Sequence, residues 1–291
     1  MRYVLTLIAA REATTLGLGT VHRVRDALDG GNPIYLSPGE AVDIPLATMP
    51  DLRVVHAALE NAPIDAVVTP LGRRRKRLLV ADMDSTIVTG ETLDALADLA
   101  GIGARVAAIT ARAMRGEADF KAALRERTAM LRGLPLDALQ RTWEQVDLTP
   151  GACELVATMR AHGAVTALVS GGFSFFASRV AALCGFDVHR ANELLDDGVA
   201  LTGKLAEPIL DRDAKLDMLT ALTAQHGLSA AATLAVGDGA NDLDMLQAAG
   251  LGVAFHAKPI VTASVAAAIK HADLRAVLFI QGYHADEFVV A

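Results

Sequence analysis

Residues 82–86 read Asp82-Met83-Asp84-Ser85-Thr86 and follow directly on the apolar run Leu78-Leu79-Val80-Ala81. A short apolar run ending in polar turn residues predicts a buried strand. Side chains alternate along a strand, so two carboxylates two residues apart are expected on one side of its end. Such a pair repels unless a cation or a proton lies between them. The pattern therefore points to a metal site in which one carboxylate is an ionised nucleophile and the other carries a proton.

Three further segments could complete such a site. Val165-Thr166-Ala167-Leu168-Val169 reads as a strand ending in Ser170-Gly171-Gly172, a hydroxyl followed by two residues that let backbone amides approach a ligand closely. Lys215 lies in Asp213-Ala214-Lys215-Leu216-Asp217, in the first turns of a predicted helix; a lone lysine there is ordinarily solvated. Thr233-Leu234-Ala235-Val236 reads as a third buried strand and runs into Gly237-Asp238-Gly239-Ala240-Asn241-Asp242, where glycines allow a sharp turn and Asn241 is placed to cap the next helix. Each motif alone has an ordinary reading as a turn, a cap or a surface charge. Three of the four fall at the carboxyl ends of predicted strands, the edge where open parallel sheets bind ligands.

In kind and order, DMDST, SGG, Lys215 and GDGAND resemble the four motifs of the haloacid dehalogenase-like (HAD) phosphatases. The likeness extends to the phosphoserine phosphatase branch through Glu91, Phe120, Leu124-Arg125-Glu126-Arg127 and Ala257-Lys258-Pro259. It spans roughly residues 77 to 281 and leaves out the first 75. The resemblance implies that Asp82 attacks phosphorus to form an aspartyl phosphate, and that Asp84 protonates the leaving alkoxide and later takes a proton from water. It implies that Ser170, Gly171, Gly172, Lys215 and Asn241 surround the phosphoryl group. Mg2+ would be held by Asp82, the backbone carbonyl of Asp84 and Asp238, with Asp242 orienting its waters from behind. Glu91 and Arg127 would read the ammonium and carboxylate of phosphoserine. The implied activity is magnesium-dependent hydrolysis of O-phospho-L-serine, the last step of serine biosynthesis. A phosphatase or phosphotransferase for another small phosphomonoester, and a regulatory phosphate- or amino-acid-binding module, remain alternatives.

These motifs need a scaffold. The expected fold class is α/β: a doubly wound parallel sheet of HAD-like, Rossmann type over 73–291, with helical segments 92–100, 104–114, 118–131 and 136–143 forming a cap inserted at about 88–148. Such a lid after the nucleophile can exclude water and supply specificity contacts. Residues 1–72 read as a separate α+β unit in the order βαββαβ, with strands 3–9, 33–36, 41–46 and 64–69 and helices 19–28 and 52–59. That order is ferredoxin-like, as in ACT domains, and the unit reads as a structural or dimerising appendage that allows a homodimer. Arg73-Arg74-Arg75-Lys76-Arg77 reads as a solvated linker between the two parts.

Composition narrows the function classes. The chain has 291 residues, 52% of them apolar, a net charge of −7 and 4% aromatics, a balance that fits an ordinary soluble protein and argues against a nucleic-acid surface. Apolar runs fall short of a membrane span, and the apolar opening is cut short by Arg11-Glu12, so an N-terminal strand rather than a signal peptide is expected, with the cytoplasm as the default location. Cys153 and Cys184 lack CxxC spacing and read as small buried apolar residues; His189 and His256 read as groups satisfied by local hydrogen bonds. The implied partner is a small molecule, phosphoserine.

Overall fold

The computed structural model describes residues 1–114 and 119–290. The N-terminal unit has strands β1 (Tyr3–Ala9), β2 (Ile34–Ser37), β3 (Ala41–Leu46) and β4 (Ile64–Pro70), with helices Leu18–Ala27 and Leu52–Leu59 in the connections. The sheet is antiparallel in the order β2-β3-β1-β4. This is the ferredoxin-like arrangement expected from the order of elements. On one face Leu5, Leu7, Val42 and Ile44 pack against Val21, Val24 and Val55 of the unit's own helices.

The second sheet contains β5 (Leu78–Ala81), β6 (Val165–Phe173), β7 (Val188–Asn192), β10 (Thr233–Gly237), β11 (Leu251–Phe255) and β12 (Ala267–Ile269). Between β7 and β10 lies a hairpin of β8 (Leu194–Asp196) and β9 (Leu201–Leu205). The six strands are parallel in the order β12-β11-β10-β5-β6-β7. From β5 the chain winds one way to β7 and then the other way from β10 to β12, so the switch point lies between β5 and β10. Alternation sends Leu79, Leu168 and Val236 into a core with Leu155, Met159 and Phe176 on one face. It sends Val80, Val169 and Ala235 into a core with Leu219, Leu222 and Met245 on the other. A parallel sheet must be covered on both faces, and this one is, as the doubly wound reading expects.

The cap consists of helices Thr92–Leu99, Gly103–Met114, Phe120–Ala129 and Asp137–Trp143; the start of the third at Ala118, as read from sequence, lies outside the described residues. Val88 and Leu148 form an antiparallel bridge where the chain leaves and re-enters the sheet domain. The hairpin β8–β9 was not foreseen. It props the cap: Gly133 and Leu136 donate backbone hydrogen bonds to Leu201 and Val199, and Arg125 pairs with Glu207 at 2.7 Å. No helix of the described residues is long and apolar enough to cross a membrane.

The basic run is only partly the solvated linker expected: Arg73, Arg75 and Arg77 are exposed, but Arg74 and Lys76 are not. Arg74 is only 10% exposed; it pairs with Asp43 and donates to Thr6 Oγ1 and to the carbonyls of Phe279 and Ile280. The buried Lys76 gives its ammonium to Ala231 O at 2.8 Å, and Arg75 pairs with Glu287. The reason is the second face of the N-terminal sheet, where Ile8, Leu36, Ala41 and Val67 pack into the core that holds Ala276–Ile280. Charged residues at that seam are desolvated and must be paired. Cys153, expected buried, is partly exposed, and its Sγ lies 2.7 Å from that of the buried Cys184.

Asp65 shows how tightly the seam is made. Its buried carboxylate accepts from the backbone N–H groups of Lys270, His271 and Ala272 at 2.8, 3.1 and 2.8 Å. Asp65→Ala leaves three donors unpaired and is expected to cost about 2–3 kcal/mol. Urea unfolding of the two chains measures it, and an unchanged midpoint would contradict the assignment.

Candidate active site

β5 and β10 flank the switch point, and their ends carry Asp82 and Asp238. The Asp82 N–H donates to Val236 O at 3.0 Å, continuing the ladder one residue beyond β5. Alternation then aims the Asp82 side chain to the face of Val80, the face covered by helix Asp213–Gln225. Lys215, on the first turn of that helix, is 2% exposed and reaches Asp82 Oδ1 at 2.8 Å and Asp242 Oδ1 at 2.6 Å. It is not a solvated surface lysine. Asp242 uses its other oxygen to accept from Gly239 N–H at 2.9 Å, closing the turn of the GDGAND segment. The closing side chain is thus Asp242; Asn241, expected as a cap, instead lines the cavity.

The two carboxylates of the DxD motif do not share one side of a strand. Beyond Asp82 the chain makes a single wide turn over Met83–Ile87, with Asp84 extended and Ser85 at φ +55°. This breaks the two-residue alternation, and Asp84 Oδ1 accepts from Thr92 N–H at 2.8 Å while Oδ2 accepts from Ser170 Oγ at 3.0 Å. The carboxylates that converge are Asp82, Asp238 and Asp242, whose oxygens lie within 4.8 Å of one another. Three carboxylates against one ammonium leave an excess of negative charge in a desolvated space. Oxygen donors with that excess suit a hard divalent cation.

Electrostatics divides the acids. Burial, then Asp242, lifts Asp82 well above the usual carboxylate range, against the pull of Lys215. Burial and Glu91 raise Asp84, partly opposed by the hydrogen bonds from Thr92 and Ser170. Burial, Asp242 and Glu91 push Asp238 up to about 6. For Lys215 burial works against the charge, but Asp242 and Asp82 outweigh it and its pKa rises.

Ser170, Gly171 and Gly172 lie on the carboxyl end of β6. The Gly172 N–H donates to Ser170 Oγ at 2.8 Å. A Cβ on Gly172 would stand 2.8 Å from Asp84 Oδ2 and 3.0 Å from Ser170 Oγ, so only glycine fits there. Phe120 of the cap touches Gly171: a Cβ there would meet its ring at 3.2 Å. Above them is a cavity of about 290 Å³, lined by the acids Asp82, Asp84, Asp238 and Glu91, by Ser170 to Gly172, and by Phe120, Arg127, Asn241 and Lys258. Glu91 accepts from Ser85 Oγ at 2.7 Å, and Arg127 donates to Thr110 Oγ1 at 3.3 Å. The catalytic, substrate-binding and metal-binding residues expected from sequence all line this cavity except Lys215 and Asp242, which stand behind Asp82. Lys258 could be noticed only as part of an Ala-Lys-Pro segment. Thr110, which braces Arg127, carried no sequence signal.

The profile of the haloacid dehalogenase-like hydrolases matches residues 79–247. The chain belongs to this family. Its members are metal-dependent, in keeping with the acidic trio. The chain is 45% identical over 204 residues to a phosphoserine phosphatase of Streptococcus thermophilus, covering 70% of this chain and 94% of that one. It is 44% identical over 204 residues to a phosphoserine phosphatase of Archaeoglobus fulgidus, covering 69% of this chain. It spans only 59% of that relative's length. The crystal structure of a probable phosphoserine phosphatase from Vibrio cholerae superposes with a TM-score of 0.81 at 31% identity, over 98% of this chain and 88% of that one. The N-terminal unit is therefore included in the likeness.

The raised Asp238 carboxyl makes a pH prediction for the cation-free protein. With its pKa lifted from 3.8 to about 6, the folded chain holds that proton more tightly than the unfolded chain, so this group's contribution to stability is lost as pH rises through that window. In chelator, Asp238→Asn is expected to gain about 1–3 kcal/mol on the native chain between about pH 4 and 7, the lower end allowing for solvent screening. Urea unfolding at the two pH values checks this, and excess divalent cation should cancel the gain.

Proposed function

We propose that the protein is a magnesium-dependent phosphatase that hydrolyses O-phospho-L-serine to L-serine and phosphate. The observation that carries this reading is one cavity lined at its floor by Asp82, Asp84 and Ser170 and on the cap side by Glu91 and Arg127. The floor suits a phosphoryl group. An anion and a cation set apart from it suit an ammonium and a carboxylate on one small molecule, and the arginine fork can hold a carboxylate with two parallel hydrogen bonds. The identities to enzymes of that name support the same substrate.

In the proposed mechanism an Asp82 oxygen attacks phosphorus, forming the Asp82–phosphorus bond as the bond from phosphorus to the serine oxygen breaks. Asp84 delivers its proton to the departing oxygen, a role that suits a carboxyl held above the usual range by burial and Glu91. Water then attacks the aspartyl phosphate, Asp84 takes its proton, and phosphate and free Asp82 result. Ser170, turning its hydroxyl from Asp84 when substrate arrives, and the amide of Gly171 bind phosphoryl oxygens, while the Gly172 N–H holds Ser170 Oγ in place. Lys215 pulls Asp82 toward its ionised form, against burial and Asp242, and aligns it. Magnesium bound by Asp82, Asp238 and the backbone carbonyl of Asp84 would supply positive charge for the phosphoryl oxygens. Asp242, with both oxygens engaged by Lys215 and Gly239, acts through position rather than contact.

The same reading assigns residues 1–72 to the N-terminal unit, 73–291 to the phosphatase with its cap at about 88–148, and the whole to the cytoplasm, where the two free cysteines stay reduced.

Turnover of phosphoserine with magnesium, compared with a panel of phosphorylated sugars and alkyl phosphates, tests the substrate. No preference for phosphoserine would leave a phosphatase of another small ester. Asp82→Asn should lower turnover at least about a hundredfold on every ester. Asp84→Asn should damage phosphoserine hydrolysis far more than that of p-nitrophenyl phosphate, whose leaving group barely needs a proton. Arg127→Ala, Arg127→Lys and Glu91→Gln should each cost more than about tenfold in kcat/KM for phosphoserine and much less for p-nitrophenyl phosphate.

A further inference from the structure

Asn192, the last residue of β7, is 2% exposed, and among the described residues its side chain makes hydrogen bonds only to backbone. Its Nδ2 donates to Gly171 O at 2.9 Å and to Leu210 O at 3.3 Å, and its Oδ1 accepts from Leu210 N–H at 2.8 Å. Exchanging its oxygen and nitrogen would face an acceptor toward two carbonyls and a donor toward an N–H, so the network fixes the amide's orientation.

The contact with Gly171 O matters because that carbonyl and the Gly172 N–H belong to one planar peptide unit and point in opposite directions. Holding the carbonyl toward Asn192 aims the N–H the other way, at Ser170 Oγ, 2.8 Å distant. Ser170 has a single proton. With its oxygen already accepting from Gly172, that proton goes to Asp84 Oδ2 at 3.0 Å. A continuous chain thus runs Asn192 to the 171–172 peptide to Ser170 to Asp84, and each bond polarises the next. The other half of the Asn192 amide tethers Leu210, three residues before the helix that carries Lys215.

We infer that Asn192 is a positioning residue for the phosphoryl site: it sets the plane of the 171–172 peptide and through it the direction of the Ser170 hydroxyl, while tying that loop to the segment leading into Lys215. This rests on the phosphatase reading for Ser170 and Asp84. Asn192 touches neither substrate nor reacting atoms.

Asn192→Asp keeps the shape and the acceptor for Leu210 N–H but removes the donor to Gly171 O. It is expected to lower kcat by about tenfold or more with KM changed less than about threefold, on p-nitrophenyl phosphate as well as phosphoserine. It should also shift the Gly172 amide resonance in the 15N spectrum. In a double-mutant cycle, Ser170→Ala should cost far less in the Asn192→Asp background than in the native one, because the hydroxyl is already misdirected. Additive losses, kcat within about twofold of native, or an unmoved Gly172 resonance would each overturn the inference. If Asn192→Asp does not fold, Asn192→Ser, which is too short to reach Gly171 O, is read in the same way. Native enzyme inactive on phosphoserine but active on p-nitrophenyl phosphate would remove the substrate reading alone; the cycle would still decide the role of Asn192.

Discussion

The active-site edge of the sheet depends on one buried ammonium. Lys215 lies between Asp82 and Asp242 where water is excluded, and removing that charge would leave two carboxylates facing each other with a third, Asp238, close by. A single interior cation cannot balance three anions. The residual charge and the oxygen donors suit the site to a hard divalent cation. Asp242 closes the turn after β10 with its second oxygen, and helix Asp213–Gln225 must dock on the face of Val80 for its lysine to arrive.

The cap works against a different constraint. Its helices emerge from one narrow neck at Val88 and Leu148, and a neck alone would leave them free to swing. The hairpin β8–β9 supplies a second support, because its backbone pairs with the 133–136 segment and Arg125 and Lys121 pair with Glu207 and Asp211 just beyond it. Phe120 then lies against Gly171, so the cap meets the sheet domain at the 170–172 segment. Arg127, braced by Thr110, is carried in the same helix and moves with it.

What the chain reveals before folding is unequal. Strands β5, β6 and β10 were legible because each contains a short apolar run followed by polar and glycine residues, although β6 continues through Ser170-Gly171-Gly172 to Phe173, and their ends place Asp82, Ser170 and Asp238 together. The N-terminal unit was legible to within a residue or two at most boundaries because its two-fold and 3.6-fold periodicities do not overlap. The destination of Asp84 was not: strand alternation holds only while the backbone stays extended, and the positive φ of Ser85 redirects the carboxylate to Thr92 and Ser170. The burial of Arg74 was equally hidden, since its partners Asp43, Phe279 and Ile280 are far away in sequence. Asn192 had no signal because its work is done entirely through backbone groups. The hairpin does carry one, Asp196-Asp197-Gly198 between apolar residues, a turn pattern of the kind that joins paired strands.

The seam around Arg74 also sets an order of events during synthesis. The N-terminal sheet is complete once Pro70 has left the ribosome, yet the surface that covers its second face, from Lys270 to Tyr283, is made about 200 residues later. At roughly 5–20 residues per second the early sheet waits on the order of 10–40 s with Ile8, Leu36, Ala41 and Val67 uncovered. Docking at this seam joins residues 3–70 to residues 270–283, so a chain truncated before residue 270 leaves Ile8, Leu36, Ala41 and Val67 without that cover.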